Sequence, residues 1–345
     1  MAFGFRMAGF KPLAFIEINR WAYETYKRNL SPERGFHLDA AKVRAKVLLE
    51  STGRPDVVIG GPPCRPFSRA NTRRNGKKHP EYILPVIFAK LSVKLKPKII
   101  VMEEVPSFTK YLREATVNCF ERGGYCVREV LLNAADYGVP QFRRRYLMLA
   151  AEDGGGVLEE VAERLASASV EERVTVEEAI GDLPLEALCS KDKPVKYTGP
   201  PKTSFQKWAR KSCRRTVHNH VTSRANKMKE KMRFIQPGEN LKRAFHRLPD
   251  HLKADFKNLG SIHSNIYRRL DPKRPSITIT HPRKTVIIHP YFDRIISVRE
   301  ASRLQSFPDD FVFKGPLSVM QQMVADAVPP LLAKAVAETL IKVLK

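Results

Sequence analysis

The 345-residue sequence has no apolar run that approaches the roughly 20 residues of a membrane-spanning helix. The segment from Met1 to Leu30 also lacks the charged and then apolar layout of a signal peptide. Hydrophobic residues nevertheless make up 43% of the chain, which is enough for the core of one large or two modest domains. These features predict a globular, cytoplasmic protein with no membrane partner.

Cysteine is scarce, and no two cysteines form a C-x-x-C pair. The five are Cys64, Cys119, Cys126, Cys189 and Cys213. An odd number in a chain of this length argues against a disulfide framework, so we expect reduced thiols. Cys213 with His218 and His220 could form part of a metal site, but a fourth ligand at the spacing of a zinc finger is missing. The sequence therefore predicts no metal centre.

Acidic residues are also few. The chain has 36 Asp and Glu against 61 Lys and Arg, which gives a formal net charge of +25. An excess of this size indicates a polyanionic partner, because the release of counterions from phosphates favours binding of any nucleic-acid sequence. A generally basic proteome or the surface of a thermophilic protein is the alternative explanation.

The first half of the sequence alternates strand-like runs with helical patterns. The strand-like runs are 13–18, 56–59, 99–102, 125–132 and 145–150, and a helical pattern covers 21–30. Apolar residues then recur every fourth position from Ile83 to Leu95, which predicts a helix that Pro97 closes. Such alternation is typical of a mainly parallel α/β sheet covered on both faces, with ligands at the carboxyl ends of the strands.

The composition changes after Pro184. Lysine, arginine and proline become dense, and the rhythm of strands and helices is lost until about residue 285. Periodicity returns from Tyr291, and 317–344 has the pattern of one or two helices that pack back on the first domain. The predicted division is therefore 1–184, a basic domain at 185–285, and a segment at 286–345 that completes the first domain.

One cysteine follows directly on a predicted buried strand. The run Gly-Gly-Pro-Pro at 60–63 leads to Cys64, so the thiol lies on a turn at the carboxyl end of that strand. Glycines let a substrate approach the backbone, and the neighbouring Arg65 and Arg69 favour a thiolate nucleophile. A buried structural cysteine explains this segment equally well on its own.

Carboxylates end the next predicted strand. Glu103 and Glu104 follow 99–102, at the edge of the sheet where Cys64 is also expected. A carboxylic acid at this place could protonate or hydrogen-bond a ring nitrogen. The alternative is a surface pair of glutamates before the turn at Pro106.

A third polar segment occupies 136–145. Gln141, Arg143 and Arg145 alternate, so their side chains point the same way if the chain is extended. Three planar polar groups on one face could clamp a base or a phosphate. A solvated arginine cluster is the alternative.

In order and spacing, these segments resemble the DNA cytosine-5 methyltransferase family over almost the whole chain. The run 63–68 is similar to its nucleophile loop, 102–106 to its E-N-V segment and 141–145 to its Q-x-R-x-R segment. Near the end, 289–290, 299–301 and 305–309 match its ninth motif, and 327–330 match its tenth. The ordered set is specific, although each motif alone is weak.

The resemblance implies a Rossmann-like class I methyltransferase sheet with helices on both faces and a smaller, basic target-recognition domain at 185–285. It also implies transfer of a methyl group from S-adenosylmethionine to carbon 5 of cytosine in double-stranded DNA, with S-adenosylhomocysteine as product. In this mechanism the thiolate of Cys64 attacks carbon 6 of a flipped base. Glu103 then engages ring nitrogen 3, and Arg145 holds the exocyclic oxygen.

Further site residues are implied by their positions in the family's motifs. Arg143 joins the catalytic set, whereas Gln141, Arg65 and Ser68 contact the substrate base or its surroundings. The implied cofactor contacts are Glu17 to the ribose hydroxyls, Ile18 against the adenine, Asp39 and Ala40 at the adenine edge, and Pro62 and Asp326.

The sequence departs from the family pattern in several places. In the resemblance, Met1 falls inside the helix that follows the family's glycine-rich loop. A missing central strand would leave backbone groups unpaired, so we expect the true start to lie upstream of Met1, with a degenerate relative as the alternative. Three further positions differ from the family pattern. The family usually has Gln at the position of Arg65 and Asn at the position of Glu104. It has Gly-Asn at the position of Ala325-Asp326. Glu104 beside Glu103 should raise one of the two pKa values, because like charges oppose ionisation.

Three functions remain open at this stage. The first is methylation of DNA, as an orphan enzyme or beside a cognate restriction endonuclease. The second is methylation of transfer RNA, on which one branch of the family acts, although the long basic region fits DNA better. The third is a catalytically inactive nucleic-acid-binding relative.

Overall fold

The computed structural model describes residues 1–67, 78–152, 154–189, 192–213, 215–224, 226–256 and 266–344. Its internal contacts separate it into two compact units. The first unit comprises Met1–Tyr137, Arg144–Val170 and Val328–Lys345, and the second comprises Gly138–Arg143 and Glu171–Ala327. Across the described ranges, no helix combines the length and the apolar character that crossing a membrane requires.

Strands and helices alternate along the first half of the chain, as predicted, and short elements dominate the second. The strands are β1 (Ala14–Ile16), β2 (Arg34–Phe36), β3 (Val57–Gly60), β4 (Ile99–Glu104), β5 (Cys126–Asn133), β6 (Arg144–Ala151), β7 (Val195–Lys196), β8 (Thr216–Val217), β9 (Arg268–Arg269) and β10 (Ile287–Ile288). The helices are α1 (Ala2–Met7), α2 (Arg20–Leu30), α3 (Ala45–Thr52), α4 (Leu84–Leu95), α5 (Arg113–Arg122), α6 (Gly154–Ser167), α7 (Val176–Ile180), α8 (Ser204–Ala209), α9 (Asn226–Met232), α10 (Leu241–Ala244), α11 (Asp250–Lys253), α12 (Pro282–Thr285), α13 (Val298–Leu304), α14 (Leu317–Asp326) and α15 (Pro330–Leu344).

The helix boundaries next to the candidate site have local causes. α2 begins where the side chain of Asn19 accepts hydrogen bonds from the backbone N–H groups of Trp21 and Ala22, which would otherwise lack partners. α4 ends where Lys96 adopts a left-handed conformation and Pro97 prevents a further turn. Both helices therefore hold the loops that precede or follow them in defined positions.

The main sheet of the first unit has the strand order β3-β4-β6-β5. β3 and β4 are parallel, whereas β4 with β6 and β5 with β6 are antiparallel. The sheet is therefore mixed: β3, β4 and β5 run in the same direction, as expected for a mainly parallel sheet, and β6 runs against them. The connection from β5 to β6 consists of residues 134–143 and contains no crossover helix. Because a parallel return usually needs a dozen or more residues, β6 runs antiparallel to β5. β1 and β2 form a separate parallel pair.

Helices cover both faces of the main sheet. One face packs its alternate residues Ile100, Met102 and Met148 against α4 and α5 in a buried apolar cluster. The other face contacts α6, and α6 in turn contacts α15, the final helix of the chain. Gly4 of α1 lies against α15, where an added Cβ would come within 2.6 Å of the Cβ of Ala333. A glycine is required there because the two helix backbones approach closely.

The second unit is held by an apolar cluster and a buried charge network. The apolar cluster comprises Met232, Ile235, Leu241, Ala244, Leu248, Leu252, Val286, Ile288 and Ile295. In the network, the fully buried Arg303 pairs with the carboxylates of Asp182 and Asp309. Buried cations of this kind need such partners, because a guanidinium without them would be desolvated at high cost.

The compact units do not follow the boundaries predicted from composition. Residues 171–184 lie in the second unit, because the N–H groups of Val176 and Glu177 bond the carbonyls of Arg274 and Pro272. The segment 286–345 is also divided. α14 packs on α12 and α13 in the second unit, whereas α15 contacts α1 and α6 in the first.

Candidate active site

The turn that carries Cys64 is fixed to the core at its far end. Phe67 is fully buried, and its ring lies 5.5 Å from that of Phe108 at 79°. The hydroxyl of Ser107 donates to the carbonyl of Phe67 at 2.7 Å, and the Phe67 N–H donates to the carbonyl of Cys64 at 2.9 Å. The half-buried thiol of Cys64 is therefore presented on a short, anchored turn at the carboxyl end of β3.

Glu103 lies next to the start of this turn. β3 and β4 pair in register with Gly60 opposite Met102, so Gly61 and Glu103 are the next residues on neighbouring strands. A Cβ added to Gly61 would lie 2.9 Å from Oε2 of Glu103. The sequence suggested that this glycine leaves room for a substrate, whereas the structure shows that the Glu103 carboxylate itself occupies the space.

Arg145 holds the Glu103 carboxylate from the adjacent strand. Nε of Arg145 lies 2.6 Å from Oε1 of Glu103, and both side chains are almost completely buried. The antiparallel pairing sets Glu103 opposite Leu147, which places Arg145 diagonally across on the same face. This pair brings two of the predicted catalytic residues together.

The neighbouring Glu104 is 1% exposed and faces the other side of the strand. Its Oε2 accepts a hydrogen bond from Val105 N–H at 3.0 Å, and no described group hydrogen-bonds its Oε1. Burial, and then the nearby Glu103 carboxylate, raises the pKa of Glu104 well above its ordinary value. The predicted rise of one pKa is thus present, although burial contributes more than the like charge.

Gln141 and Arg143 are buried in the scaffold of the second unit. Arg143 donates to the backbone carbonyls of Ala325 and Ala327 at 2.8 and 3.0 Å and to that of Ile279 at 3.2 Å. Gln141 donates to the carbonyl of Leu304 and accepts from the Ile279 N–H. In the described structure Gln141 and Arg143 therefore bond protein groups, whereas their alternation with Arg145 suggested that the three could clamp a base or a phosphate.

A cavity of about 720 Å³ opens beside the Cys64 turn in the first unit. It brings together Glu17, Ile18, Asp39, Ala40 and Pro62, which were the predicted cofactor contacts in this unit. The carboxylate of Glu17 accepts from the N–H of Asn19 at 2.7 Å, and burial raises the pKa of Glu17. The Ile18 side chain is 66% exposed, and Asp39 accepts from the N–H of Ala41.

The remaining predicted residues are not part of this group. Asp326 ends α14 in the second unit, where its carboxylate accepts from the amide of Gln322 at 2.8 Å. Arg65 is exposed and pairs with Glu81 at 3.1 Å, so part of its charge is already compensated. Ser68 and Arg69 lie outside the described residues.

The imidazole of His220, seven residues after Cys213, is hydrogen-bonded within the second unit. The two ring nitrogens of His220 lie 2.8 Å from the carbonyl of Pro184 and 3.1 Å from the hydroxyl of Ser297. Among the residues that the structure describes, no group of three or more His, Cys, Asp or Glu side chains could hold a metal ion.

Two positioning residues were missed from the sequence. Ser107 ties the Cys64 turn to the segment after β4, and Leu38, which is 50% exposed, lines the cavity beside Asp39. Leu38 could have been noticed as an apolar residue next to a predicted cofactor contact. Nothing in the local pattern around Ser107 indicates a bond to a residue forty positions earlier.

Solved structures that superpose on this chain include methyltransferases. A proposed DNA modification methyltransferase encoded within an E. coli prophage superposes with a TM-score of 0.76 at 23% identity, over 99% of this chain and 95% of the other. The S. pombe Dnmt2 methyltransferase gives a TM-score of 0.62 at 15% identity, over 100% and 96% of the two chains. The fold is therefore the Rossmann-like methyltransferase fold.

The sequence identifies the family within that fold. The family model for C-5 cytosine-specific DNA methylases matches residues 1–342. The chain is 30% identical to the type II methyltransferase M.DdeI of Desulfomicrobium norvegicum, over 97% of this chain and 84% of the relative. It is 32% identical to the type II methyltransferase M1.HphI of Haemophilus parahaemolyticus, over 98% of this chain and 83% of the relative. The protein belongs to the C-5 cytosine-specific DNA methylase family.

The burial of Arg143 predicts a structural role for this side chain. Arg143→Met removes the donors to three backbone carbonyls, and we expect the free energy of unfolding to fall by about 3 kcal/mol. Arg143→Lys should recover only part of the loss, because an ammonium lacks the planar fork. Denaturant unfolding measures the free energies of unfolding of the parent and of both variants. A fully stable Arg143→Met variant would contradict this role.

The buried acid Glu104 predicts a pH-dependent stability. The folded chain holds the Glu104 proton more tightly than the unfolded chain, so stability is lost as pH rises above the ordinary glutamate range. Glu104→Gln removes this loss and keeps an oxygen for the Val105 N–H. We expect the variant to exceed the parent in free energy of unfolding at neutral pH.

The difference should disappear as the pH falls through about 4.3, the ordinary glutamate pKa. The exposed Glu121→Gln on α5 serves as the control and should show no such pH dependence. A Glu104→Gln variant that is less stable than the parent at every pH would exclude the explanation.

Proposed function

We propose that this protein transfers a methyl group from S-adenosylmethionine to carbon 5 of cytosine in double-stranded DNA, with Cys64 as the attacking nucleophile. One observation carries the proposal. The Cys64 turn, the Glu103–Arg145 pair and the cavity with five expected cofactor contacts occupy the same carboxyl edge of the strands. Membership of the C-5 cytosine-specific DNA methylase family supports it.

In the proposed reaction, the cysteine activates the ring before methyl transfer. The thiolate of Cys64 forms a bond to carbon 6 of an extruded cytosine, and the electron pair moves to make carbon 5 nucleophilic. S-adenosylmethionine, when bound, supplies an electrophilic methyl group to that carbon. A base then takes the carbon-5 proton, and the ring double bond re-forms as the bond between sulfur and carbon 6 breaks.

The Glu103–Arg145 pair suits the stabilisation of the attacked ring. Negative charge that develops on the ring is relieved if Glu103, in its carboxylic acid form, donates a hydrogen bond or its proton to nitrogen 3. Arg145 fixes the Glu103 carboxylate at 2.6 Å and can offer its remaining donors to the exocyclic oxygen. Because Glu104 stays in its acid form to higher pH than an ordinary glutamate, it limits the negative charge that is buried beside Glu103.

The chemistry of the cavity fits a nucleoside cofactor. Glu17 offers a carboxylate that is oriented by the start of α2 and can accept from two adjacent hydroxyls. The exposed Ile18 and Leu38 provide apolar surface for a flat base, and Asp39 lies between Leu38 and Ala40 at the cavity wall. These residues would hold S-adenosylmethionine. Asp326, in the second unit, remains a proposed further contact.

The second unit has the charge expected for a DNA interface. In 185–285, lysines and arginines outnumber acidic residues by more than three to one. The exposed cations of this unit include Lys202, Lys207, Lys211, Arg215, Arg224, Lys229, Arg233, Lys242, Arg243, Lys273, Arg274, Arg283 and Lys284. Phosphate binding by such residues gives affinity that falls steeply with salt. A target-recognition role for 185–285 therefore remains our proposal.

The guanidinium of Arg268 is repelled by those of Arg243 and Arg274, and Asp271 offsets part of this repulsion. Burial, and then the guanidinium groups of Arg243 and Arg274, lower the pKa of Arg268. A phosphate placed among these cations would remove the repulsion, so we infer that they contact the DNA backbone. The relatives M.DdeI and M1.HphI are named type II methyltransferases, which supports a place beside a cognate restriction endonuclease.

The role of Cys64 predicts a large loss of transfer in one variant. Cys64→Ala should reduce incorporation of labelled methyl from S-adenosylmethionine into duplex DNA by roughly three orders of magnitude or more. Cys126→Ala, which removes an exposed thiol from β5 of the same unit, should keep full activity.

Transfer RNA is assayed in parallel with duplex DNA. Incorporation into transfer RNA alone would mean that transfer RNA, and not DNA, is the substrate. Methyl transfer that survives in Cys64→Ala would exclude the covalent mechanism. Salt-sensitive DNA binding without incorporation into either substrate would indicate an inactive binding relative.

The arginine cluster predicts a change in the salt dependence of DNA binding. The double variant Arg243→Gln with Arg274→Gln should bind all duplex sequences more weakly and reduce the slope of log K against log salt by about 2. Lys27→Gln with Arg28→Gln removes two exposed charges from α2 and serves as the matched control. Equal slopes of log K against log salt for the two double variants would show that the arginine cluster does not contact the DNA.

A further inference from the structure

β5 forms one end of the main sheet, on the side away from the Cys64 turn. The strand order β3-β4-β6-β5 bonds it to β6, and no other strand pairs with it within the residues that the structure describes. It is eight residues long and contains neither proline nor glycine. A long, regular strand edge presents a row of backbone donors and acceptors, so it accepts a further strand readily.

The hydrogen bonds of β6 show which residues of β5 present those groups. The N–H of Glu152 donates to the carbonyl of Lys98 at 3.2 Å, so the even-numbered residues of β6 bond β4 and the odd-numbered residues bond β5. Cys126 lies opposite Ala151, so β6 uses the even-numbered residues of β5. The residues whose backbone groups are directed to the outer edge are Val127, Glu129, Leu131 and Asn133.

The two charged residues of β5 are held by the helices that cover the sheet. Nη1 of Arg128 lies 3.2 Å from Oε1 of Glu159 on α6, and the carboxylate of Glu129 accepts from Arg113 of α5 at 2.9 Å. Edge strands are commonly protected by a charge, above all a lysine, that an approaching strand would have to bury. The charges of β5 are compensated above and below the sheet, so they do not protect its edge.

Apolar side chains occupy the last part of this edge. Leu131 is 47% exposed, and its neighbours Val130 and Leu132 are half-buried. Leu131 lies on the face that α5 covers, opposite Tyr146 of β6, whereas its two neighbours lie on the other face. A strand with apolar residues at matching positions would therefore cover apolar surface on both faces of the sheet.

A second copy of β5, antiparallel to the first, supplies such residues in one register. With a two-fold axis at Leu131, this residue lies opposite its own copy. Val130 then lies opposite Leu132, and a Glu129–Asn133 pair forms on each side of the axis. An axis at Val130 would instead place Glu129 opposite Leu131, and an axis at Glu129 would place two carboxylates together. Matched cross-strand pairs stabilise a sheet and like charges destabilise it, so the strand is complementary to itself in the first register.

The charge around β5 also favours a second copy. Two chains with a net charge of +25 repel each other over most of their surfaces. β5 and the two helices that contact it, α5 and α6, carry four arginines, no lysines and six acidic residues. This nearly balanced region is a place where two copies can approach with little repulsion.

We propose that two copies of this chain associate edge to edge through antiparallel pairing of β5, with the two-fold axis at Leu131. The backbone groups of Leu131 bond those of its own copy, and the two main sheets become one continuous sheet. A single pair of strands buries less surface than a standard interface, so we expect a Kd on the order of 10⁻⁵ to 10⁻⁴ M. The proposal concerns association alone and does not depend on methyl transfer.

Sedimentation equilibrium of the intact chain measures this association. Leu131→Lys places two ammonium groups opposite each other on the axis, so the association constant should fall by about tenfold or more. Val47→Lys adds the same charge at an equally exposed residue of α3 and should leave association unchanged. Higher salt should strengthen association of the parent, because it screens the repulsion between the two chains.

Disulfide formation tests the register. In a chain with Cys126→Ser, Leu131→Cys should form a covalent dimer on oxidation, because directly opposed residues of a bonded pair have Cα atoms about 5.5 Å apart. Val130→Cys alone should not, because its own copy lies about 8 Å away, beyond the roughly 7 Å that a disulfide spans. A mixture of Val130→Cys and Leu132→Cys chains should cross-link, since these residues lie opposite each other.

Three results would overturn the proposal. The first is a parent that remains monomeric up to its solubility limit. The second is an equal association constant for Leu131→Lys and Val47→Lys, which would place any interface elsewhere on the chain. The third is cross-linking of Val130→Cys alone as efficient as that of Leu131→Cys, which would exclude this register. Association that weakens with salt would indicate that bound nucleic acid, and not β5, joins the copies.

Discussion

The parallel pairing of β3 with β4 is the constraint on which the candidate site depends. It sets Gly60 opposite Met102, so the residues that follow both strands leave the sheet at the same edge. The Cys64 turn and the Glu103 carboxylate meet there, and a glycine at 61 is needed because the carboxylate fills the space beside it. A shift of one residue in this register would move the Glu103 carboxylate away from Gly61 and from the Cys64 turn.

The electrostatics of the site follow from the third strand. β6 is antiparallel to β4 and brings Arg145 onto the face that Glu103 occupies, while Glu104 faces the apolar cluster of α4 and α5. One strand end therefore holds two glutamates in opposite environments. Glu103 has a guanidinium at 2.6 Å, whereas Glu104 has only a backbone N–H and a raised pKa. Such divergent environments let adjacent carboxyl groups serve different purposes.

Much of the local structure could be predicted from the sequence. The apolar runs predicted the positions of β1, β3, β4, β5 and β6 to within two residues. The start of α2 after Asn19 and the end of α4 before Pro97 also have reasons that are visible in the sequence. The direction of β6 was harder, because strand patterns do not encode whether a neighbour runs parallel. The alternation of Gln141, Arg143 and Arg145 also gave no sign that the first two would bond distant carbonyls such as that of Ala325. Composition changes at 184, whereas backbone hydrogen bonds of Val176 and Glu177 group 171–184 with the second compact unit, a long-range contact that composition does not encode.

The cavity beside β1 and β3 links stability to ligand binding. Its carboxyl end presents Glu17 and Pro62, and its interior is bounded by two strand edges, so an occupant of either part borders the other. Any ligand that binds only the folded chain stabilises it by mass action, and one that orders β1 and β3 reduces the entropy that the next ligand must lose on binding.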